Sequence, residues 1–174
     1  MNELPEERFA PERAMLMTRR RLLLASVSGL AWPLTTAAQA AVRWTDIELI
    51  DGRTLTAEQL RSGAVVAQIW ASWCPFCAAQ NPHVQKLHEA QAGRGLRVVA
   101  FSIDKTVEAA RDYVTKRGYT FPVAMATPQL DAWFGKRRTL PETYVVDRAG
   151  VIVFRHQGEM FPEDIAALAR FAGK

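Results

Sequence analysis

Two cysteines stand three positions apart in the stretch Ala71-Ser72-Trp73-Cys74-Pro75-Phe76-Cys77, and the chain has no others. Three chemistries use such a pair: part of a metal site, a structural staple, or a reversible thiol–disulfide reagent. A structural zinc needs four ligands. His83, His88 and His156 are the only histidines, and none has the tight spacing of a second ligand pair. His83 and His88 read as polar residues of an amphipathic helix and His156 as the exposed end of the last strand. A staple is a poor use of so close a pair, because the entropy removed from the unfolded chain grows with the length of the closed loop. Redox exchange fits better. An apolar run ends at Trp70 and a helical pattern begins at Pro75, so Cys74 falls where free N–H groups and the helix dipole favour a thiolate. Cys77, one turn further, lies on the same face but deeper, within reach of Cys74. Position separates an attacking sulfur from a resolving one.

The elements that place this pair alternate β-rich runs with amphipathic stretches, the pattern of an α/β sheet protein. Residues 47–60 read as a short strand, a turn at Asp51-Gly52 and a brief helical turn. The run 64–70 is a buried strand by its apolar continuity. A helix follows over 75–92, with Pro82 expected to kink it. Residues 96–104 form the next buried strand. The helix after it ends at Gly118 and carries Val107, Ala110 and Val114 on one face. A short strand (121–125) and a short helix (128–135) precede a hairpin around Arg148-Ala149-Gly150, and a helix from Pro162 closes the chain. Trp70 and Trp133 are expected in the core, and Trp44 has no assignment.

A chain of 174 residues with 49% hydrophobic residues has room for one well-buried domain and an appendage. Its 22 basic and 18 acidic side chains leave only +4, scattered without aromatic interleaving, which argues against a nucleic-acid partner. The appendage is the front. Residues 17–40 run from a basic cluster through an apolar stretch to Ala38-Gln39-Ala40, the pattern of a signal peptide cleaved after Ala40. Trp32 and Pro33 interrupt the apolar stretch, short of the roughly 20 residues that span a bilayer. Arg19 and Arg20 ahead of Leu22-Leu23-Leu24 match a twin-arginine export signal, the general secretory route being the alternative. The acidic segment before Met17 suits neither route, and Met15 or Met17 is a candidate start. The expected product is a periplasmic domain over 41–174, handed over by the export machinery. Anchoring by an uncleaved signal is the minor alternative.

Through most of the mature region the chain resembles the thioredoxin superfamily, and within it the exported TlpA and ResA type of thiol-disulfide oxidoreductases. The resemblance is carried by "GRTLTAEQL", "IWASWCPFC", Pro82, "VVAFSID" and "LPETYVVDRAGVIV", in that order. It implies a central mixed β-sheet flanked by helices, with an extra strand and helix between Cys77 and Pro141. It also implies that Pro141 is a cis-proline beside the cysteines, so that Leu140 and Pro141, with Trp73, Pro75 and Phe76, make the substrate-binding edge. Gln68 and Gln80 stand where relatives usually carry an acidic residue or asparagine and often a glutamate, and they are read as modulating the site. The implied activity needs no cofactor. It reduces protein disulfides, for example in cytochrome c or metal-site maturation, with electrons from a membrane thiol transporter of the DsbD or CcdA kind. Phe76 after Pro75 keeps a disulfide oxidase or isomerase as the alternative enzyme. A copper chaperone using Cys74, Cys77 and His156 is the alternative from a binding class, since soft thiolates suit Cu(I).

Overall fold

The computed structural model describes residues 41–137 and 139–173; the expected signal peptide and its cleavage site lie outside them. The elements in order are β1 (Ile47–Glu48), β2 (Thr54–Leu55), α1 (Ala57–Arg61), β3 (Ala64–Trp70), α2 (Pro75–Ala90), β4 (Leu96–Ser102), α3 (Val107–Arg117), β5 (Val123–Met125), α4 (Pro128–Phe134), β6 (Glu142–Val146), β7 (Ile152–Gln157) and α5 (Pro162–Ala167), followed by a 3-10 turn over Leu168–Phe171. Five strands form one mixed sheet in the order β5-β4-β3-β6-β7, with β3, β4 and β5 parallel and β6 and β7 antiparallel to their neighbours. Between α2 and Pro141 lie two strands, β4 and β5, and two helices, α3 and α4, which include the expected extra strand and helix. This is the thioredoxin fold, with helices on both faces of the central sheet.

Every residue of β3 is buried, because both faces of the strand are covered. Ala64, Val66 and Trp70 pack with Cys77, Val84 and Leu87 of α2 and with Ile165 and Leu168 near the C-terminus. Val65, Ala67 and Ile69 face the opposite layer, with Leu60, Leu130, Phe134 and Tyr144. The period of two along a strand sends alternate side chains to opposite faces. Gln68 therefore shares the α2 face with Val66 and Trp70, whereas Glu142, in step with Tyr144 and Val146, belongs to the other.

The sequence missed β2, two residues that pair with β1 and turn what read as one strand into a small hairpin; so short a pairing has no periodicity to betray it. The capping box of α1 was equally unread: Thr56 Oγ1 accepts the Gln59 N–H and the Gln59 side chain returns the bond. α2 ends at Ala90, two residues early, and runs unbroken through Pro82, whose missing N–H falls on its exposed face. Trp70 is fully buried. Trp133 corrects the sequence reading: it is only half-buried, its ring edge-on to the buried Trp44 at 4.9 Å. α4 is short and turns Leu130 and Phe134 into the layer over β3 and β6, which leaves the Trp133 indole at the rim of that layer. His156 is half-buried on β7, with Nε2 3.3 Å from the Glu159 carbonyl oxygen.

The start of the domain is tied to the β6–β7 turn by one bond, Val42 N–H to the Gly150 carbonyl at 2.7 Å. Gly150 has φ +85°, and a Cβ there would stand 2.5 Å from the Val42 carbonyl oxygen. A side chain at 150 thus meets both backbone strain and a clash. Gly150→Ala should lower unfolding stability in urea by about 1–3 kcal/mol with an unchanged denaturant slope, whereas Ala149→Gly at the exposed neighbouring position should change it by less than about 1 kcal/mol.

Candidate active site

Parallel strands β3 and β4 end side by side, Trp70 opposite Ser102, and the chain turns through Ala71, Ser72 and Trp73 into α2. In open α/β sheets the crevice beyond such strand ends is the usual ligand site. A buried carboxylate holds the turn. Asp104, just past β4, accepts the Ser72 N–H at 3.1 and 3.2 Å, the Ser72 hydroxyl at 2.8 Å and the Ser102 hydroxyl at 2.6 Å. Its desolvation cost is offset by donors on every side.

The turn delivers Cys74 to the N-cap of α2, where its Sγ accepts the Cys77 N–H at 3.1 Å. Sulfur therefore does the work an aspartate or serine oxygen does at other helix starts. Pro75 follows at the first helical position, where no N–H is needed. Cys74 is 4% exposed and Cys77 is fully buried, and both are free thiols. Burial pushes the Cys77 thiol up, and its hydrogen bond with the Cys74 sulfur pushes it further in the same direction. The inner sulfur thus holds its proton well above neutral pH.

Beside Cys74 lies an open cavity of about 430 Å³ lined by Trp73, Cys74, Pro75, Phe76, Ile103, Arg137, Thr139 and Leu140. Trp73 and Phe76 are 65% and 57% exposed, large apolar surfaces with little over them among the described residues. The Leu140–Pro141 bond is cis, and Pro141 is buried at the head of β6. Its carbonyl accepts the Gly158 N–H at 2.8 Å. The structure brings Cys74, Trp73, Pro75, Phe76 and Leu140 to one opening; Cys77 is buried and joined to the Cys74 sulfur through its N–H, and Pro141 is buried next to Leu140.

Gln68 and Gln80 meet in a buried, uncharged network. Gln68 Nε2 donates to Asn81 Oδ1 at 2.7 Å, Gln80 Nε2 donates to Thr143 Oγ1 at 3.2 Å and reaches Gln68 Oε1 at 3.4 Å, and Gln80 Oε1 accepts the Met160 N–H at 2.8 Å. Gln80 and Asn81 lie one turn along α2 from Cys77, and Gln68 reaches them from the α2 face of β3. The buried carboxylate of Glu142 does not join them. It sits on the opposite face, accepting the Tyr144 hydroxyl at 2.8 Å and the Gln157 amide at 3.0 Å.

His156 is not brought to the cysteines. Among the described residues no three His, Cys, Asp or Glu side chains converge as metal ligands. Sequence reasoning missed Asp104, Arg137 and Ile103 as parts of the site or its frame. The legible signal was a carboxylate at the C-terminal end of a buried parallel strand, which core packing alone does not explain.

Fold and site together define a thioredoxin-fold protein with a paired-thiol centre at a helix N-terminus. The chain belongs to the Redoxin family, whose model matches residues 37–170. It is 26% identical over 121 residues to thiol-disulfide oxidoreductase ResA of Bacillus anthracis, covering 70% of this chain and 68% of that one. It is 30% identical over 113 residues to thiol:disulfide interchange protein DsbE of Yersinia pestis, covering 63% and 57%. A thioredoxin-family thiol:disulfide interchange protein from Chlorobium tepidum TLS superposes with a TM-score of 0.70 at 22% identity, over 77% of this chain and 96% of that one. StoA from Bacillus subtilis gives 0.64 at 20% identity, over 74% and 98%. The protein is a thiol-disulfide oxidoreductase.

Two outcomes follow from a protonated Cys77 among neutral amides. In single turnover from a Cys74 mixed disulfide, release should quicken about tenfold per pH unit from roughly pH 6 to 8.5 without levelling, because the Cys77 thiolate fraction is still rising below its elevated range. Gln68→Glu puts a carboxylate where the Gln68 amide lies, with Gln80 Nε2 as a ready donor. Asn81, whose Nδ2 has no hydrogen-bond partner among the described residues, supplies a second if its amide turns over. The variant should lose about 1–3 kcal/mol of stability yet release faster near pH 7. A folded Gln68→Glu that is no faster at any pH would show that no base is limiting.

Proposed function

We propose that the protein reduces disulfides of other proteins outside the cytoplasm, with Cys74 as the attacking and Cys77 as the resolving sulfur. The observation that carries this reading is the asymmetry of the pair: Cys74 Sγ caps α2 beside an open cavity, while Cys77 is closed off. The Cys74 thiolate attacks one client sulfur and expels the other as a thiolate. Cys77, losing its proton, then attacks Cys74 and frees the second client sulfur. Two electrons pass to the client, its two thiols take up two protons, and the protein is left with a Cys74–Cys77 disulfide. Trp73, Pro75, Phe76 and Leu140 frame the bound segment, and Pro141 abuts it from below. A membrane thiol transporter of the DsbD or CcdA kind returns the electrons, and the clients are proteins in cytochrome c or metal-site maturation.

The decisive measurement is the reduction potential of the pair. It should lie below about −200 mV, in the range of thioredoxin-like reductants; a value above that assigns an oxidase or isomerase instead. Cys77→Ser should trap clients as mixed disulfides and Cys74→Ser should trap none. Equal trapping would sink the ordered mechanism.

Residues 1–40 we read as the export signal that carries the domain to the periplasm. No helix among the described residues is long and apolar enough to cross a membrane. Changing Arg19 and Arg20 together to lysine should block export by the twin-arginine route, since the general route needs only positive charge. Undiminished appearance of the double variant in the periplasm would assign the general route.

A further inference from the structure

We propose that this site takes acidic clients: disulfides flanked by Asp or Glu side chains that pair with a basic wall made by Lys136 and Arg137, with an apolar residue next to the attacked cysteine seated in the cavity at Cys74. The proposal rests on Cys74 as the attacking sulfur and adds the chemistry of what it attacks.

The cavity is apolar or hydroxyl-bearing on every side but one. Trp73, Phe76, Ile103 and Leu140 supply its apolar walls, and Arg137 is the charged side chain among its described lining residues. Arg137 is only partly committed to its own chain. Its Nη1 lies 3.0 Å from Asp131 Oδ1, an ion-pair distance without a well-directed hydrogen bond, and the side chain remains 29% exposed. A guanidinium carries five N–H donors in a planar fork, so one carboxylate contact leaves capacity for a second carboxylate arriving from the cavity.

The positive charge continues along the surface. Lys136, exposed and next in the chain, shares a neighbouring concavity of about 290 Å³ with Arg155 of β7. Across the opening, Ile103 leads to Asp104, whose carboxylate is turned inward onto Ser72 and Ser102, and then to the exposed Lys105. The acids nearby are already engaged: Asp131 faces Arg137, Asp104 holds the turn, and Glu142 is buried beneath Tyr144 and Gln157. A segment docking beside Cys74 therefore meets Lys136 and the remaining N–H donors of Arg137 on one side of an apolar slot, and on the other Ile103, two residues ahead of the exposed Lys105. Complementary charge raises the encounter rate and like charge suppresses it.

Three disulfide-bridged peptides with the same cysteines and one leucine beside the attacked cysteine, flanked by Asp-Glu, by Ser, or by Lys-Arg, would be reduced by the dithiol protein in stopped flow. At low ionic strength the acidic peptide should react about tenfold faster than the basic one, with the Ser peptide between. The gap should narrow in about 0.5 M salt, where screening shortens to a few ångströms. Lys136→Glu should shrink the ratio at least about threefold, and Lys136→Glu with Arg137→Glu should invert it. The readout is the ratio between peptides, so a general loss of activity in a variant does not imitate it. Equal rates in the wild type, or a ratio untouched by Lys136→Glu, would overturn the proposal. Failure to reduce even the Ser peptide would instead overturn the disulfide-reductase reading on which it stands.

Discussion

The hydrogen bond from the Cys77 N–H to the Cys74 sulfur is the constraint around which this molecule is arranged. It exists only if β3 stops at Trp70, the chain reverses within three residues, and α2 starts with its first N–H groups aimed at residue 74. Each condition is met by something specific. The strand stops where its parallel neighbour β4 also ends. The turn is clamped by Asp104 through both the backbone and the hydroxyl of Ser72. The helix starts at a proline that needs no donor. A carboxylate therefore prepares the position of the sulfur without touching it, and the cost of burying that carboxylate is met by hydroxyl and amide donors within the same turn.

A second design decision is the separation of charge by sheet face. The face behind Cys77 carries amides, Gln68, Gln80 and Asn81, while the buried carboxylate of Glu142 is held on the far face by strict alternation along β6. A shift of one residue in the β6 register would bring that carboxylate to the thiol side and send Thr143, which anchors Gln80, away from it. The antiparallel pairing of β6 with both β3 and β7 fixes the register, and so fixes the protonation chemistry of the inner sulfur. Packing topology here sets reactivity.

Much of this was legible in the sequence because it rests on local rules. The long buried strands 64–70 and 96–102 announce themselves by continuous apolar residues, α3 by its spacing and its Gly118 stop, and Cys74 by standing between an apolar run and a proline. What stayed illegible depends on which distant residues meet. Nothing near Asp104 in the chain says that its carboxylate will find Ser72, and nothing near Met160 says that its amide will find Gln80. Trp133 reads in sequence as a core residue, whereas in the fold its neighbours Leu130 and Phe134 take the buried face of α4 and leave the indole half-buried. Arg137 has no motif around it in the sequence, and only the fold sets it in the wall beside Cys74.

The placement of β3 at the middle of the sheet also governs the order in which the site can be completed. Of its two neighbours, β4 follows soon after, but β6, which contains Thr143 and starts just past Pro141, is made only after α3, β5 and α4, and the Met160 amide that anchors Gln80 comes later still. In a chain that emerges from its amino end, both sulfurs are therefore present long before the strand and the Met160 segment that anchor the amides behind Cys77 have been synthesised. The thiols of the nascent chain are the ones least controlled by the fold, and the geometry that distinguishes an outer from an inner cysteine is among the last things the polypeptide acquires.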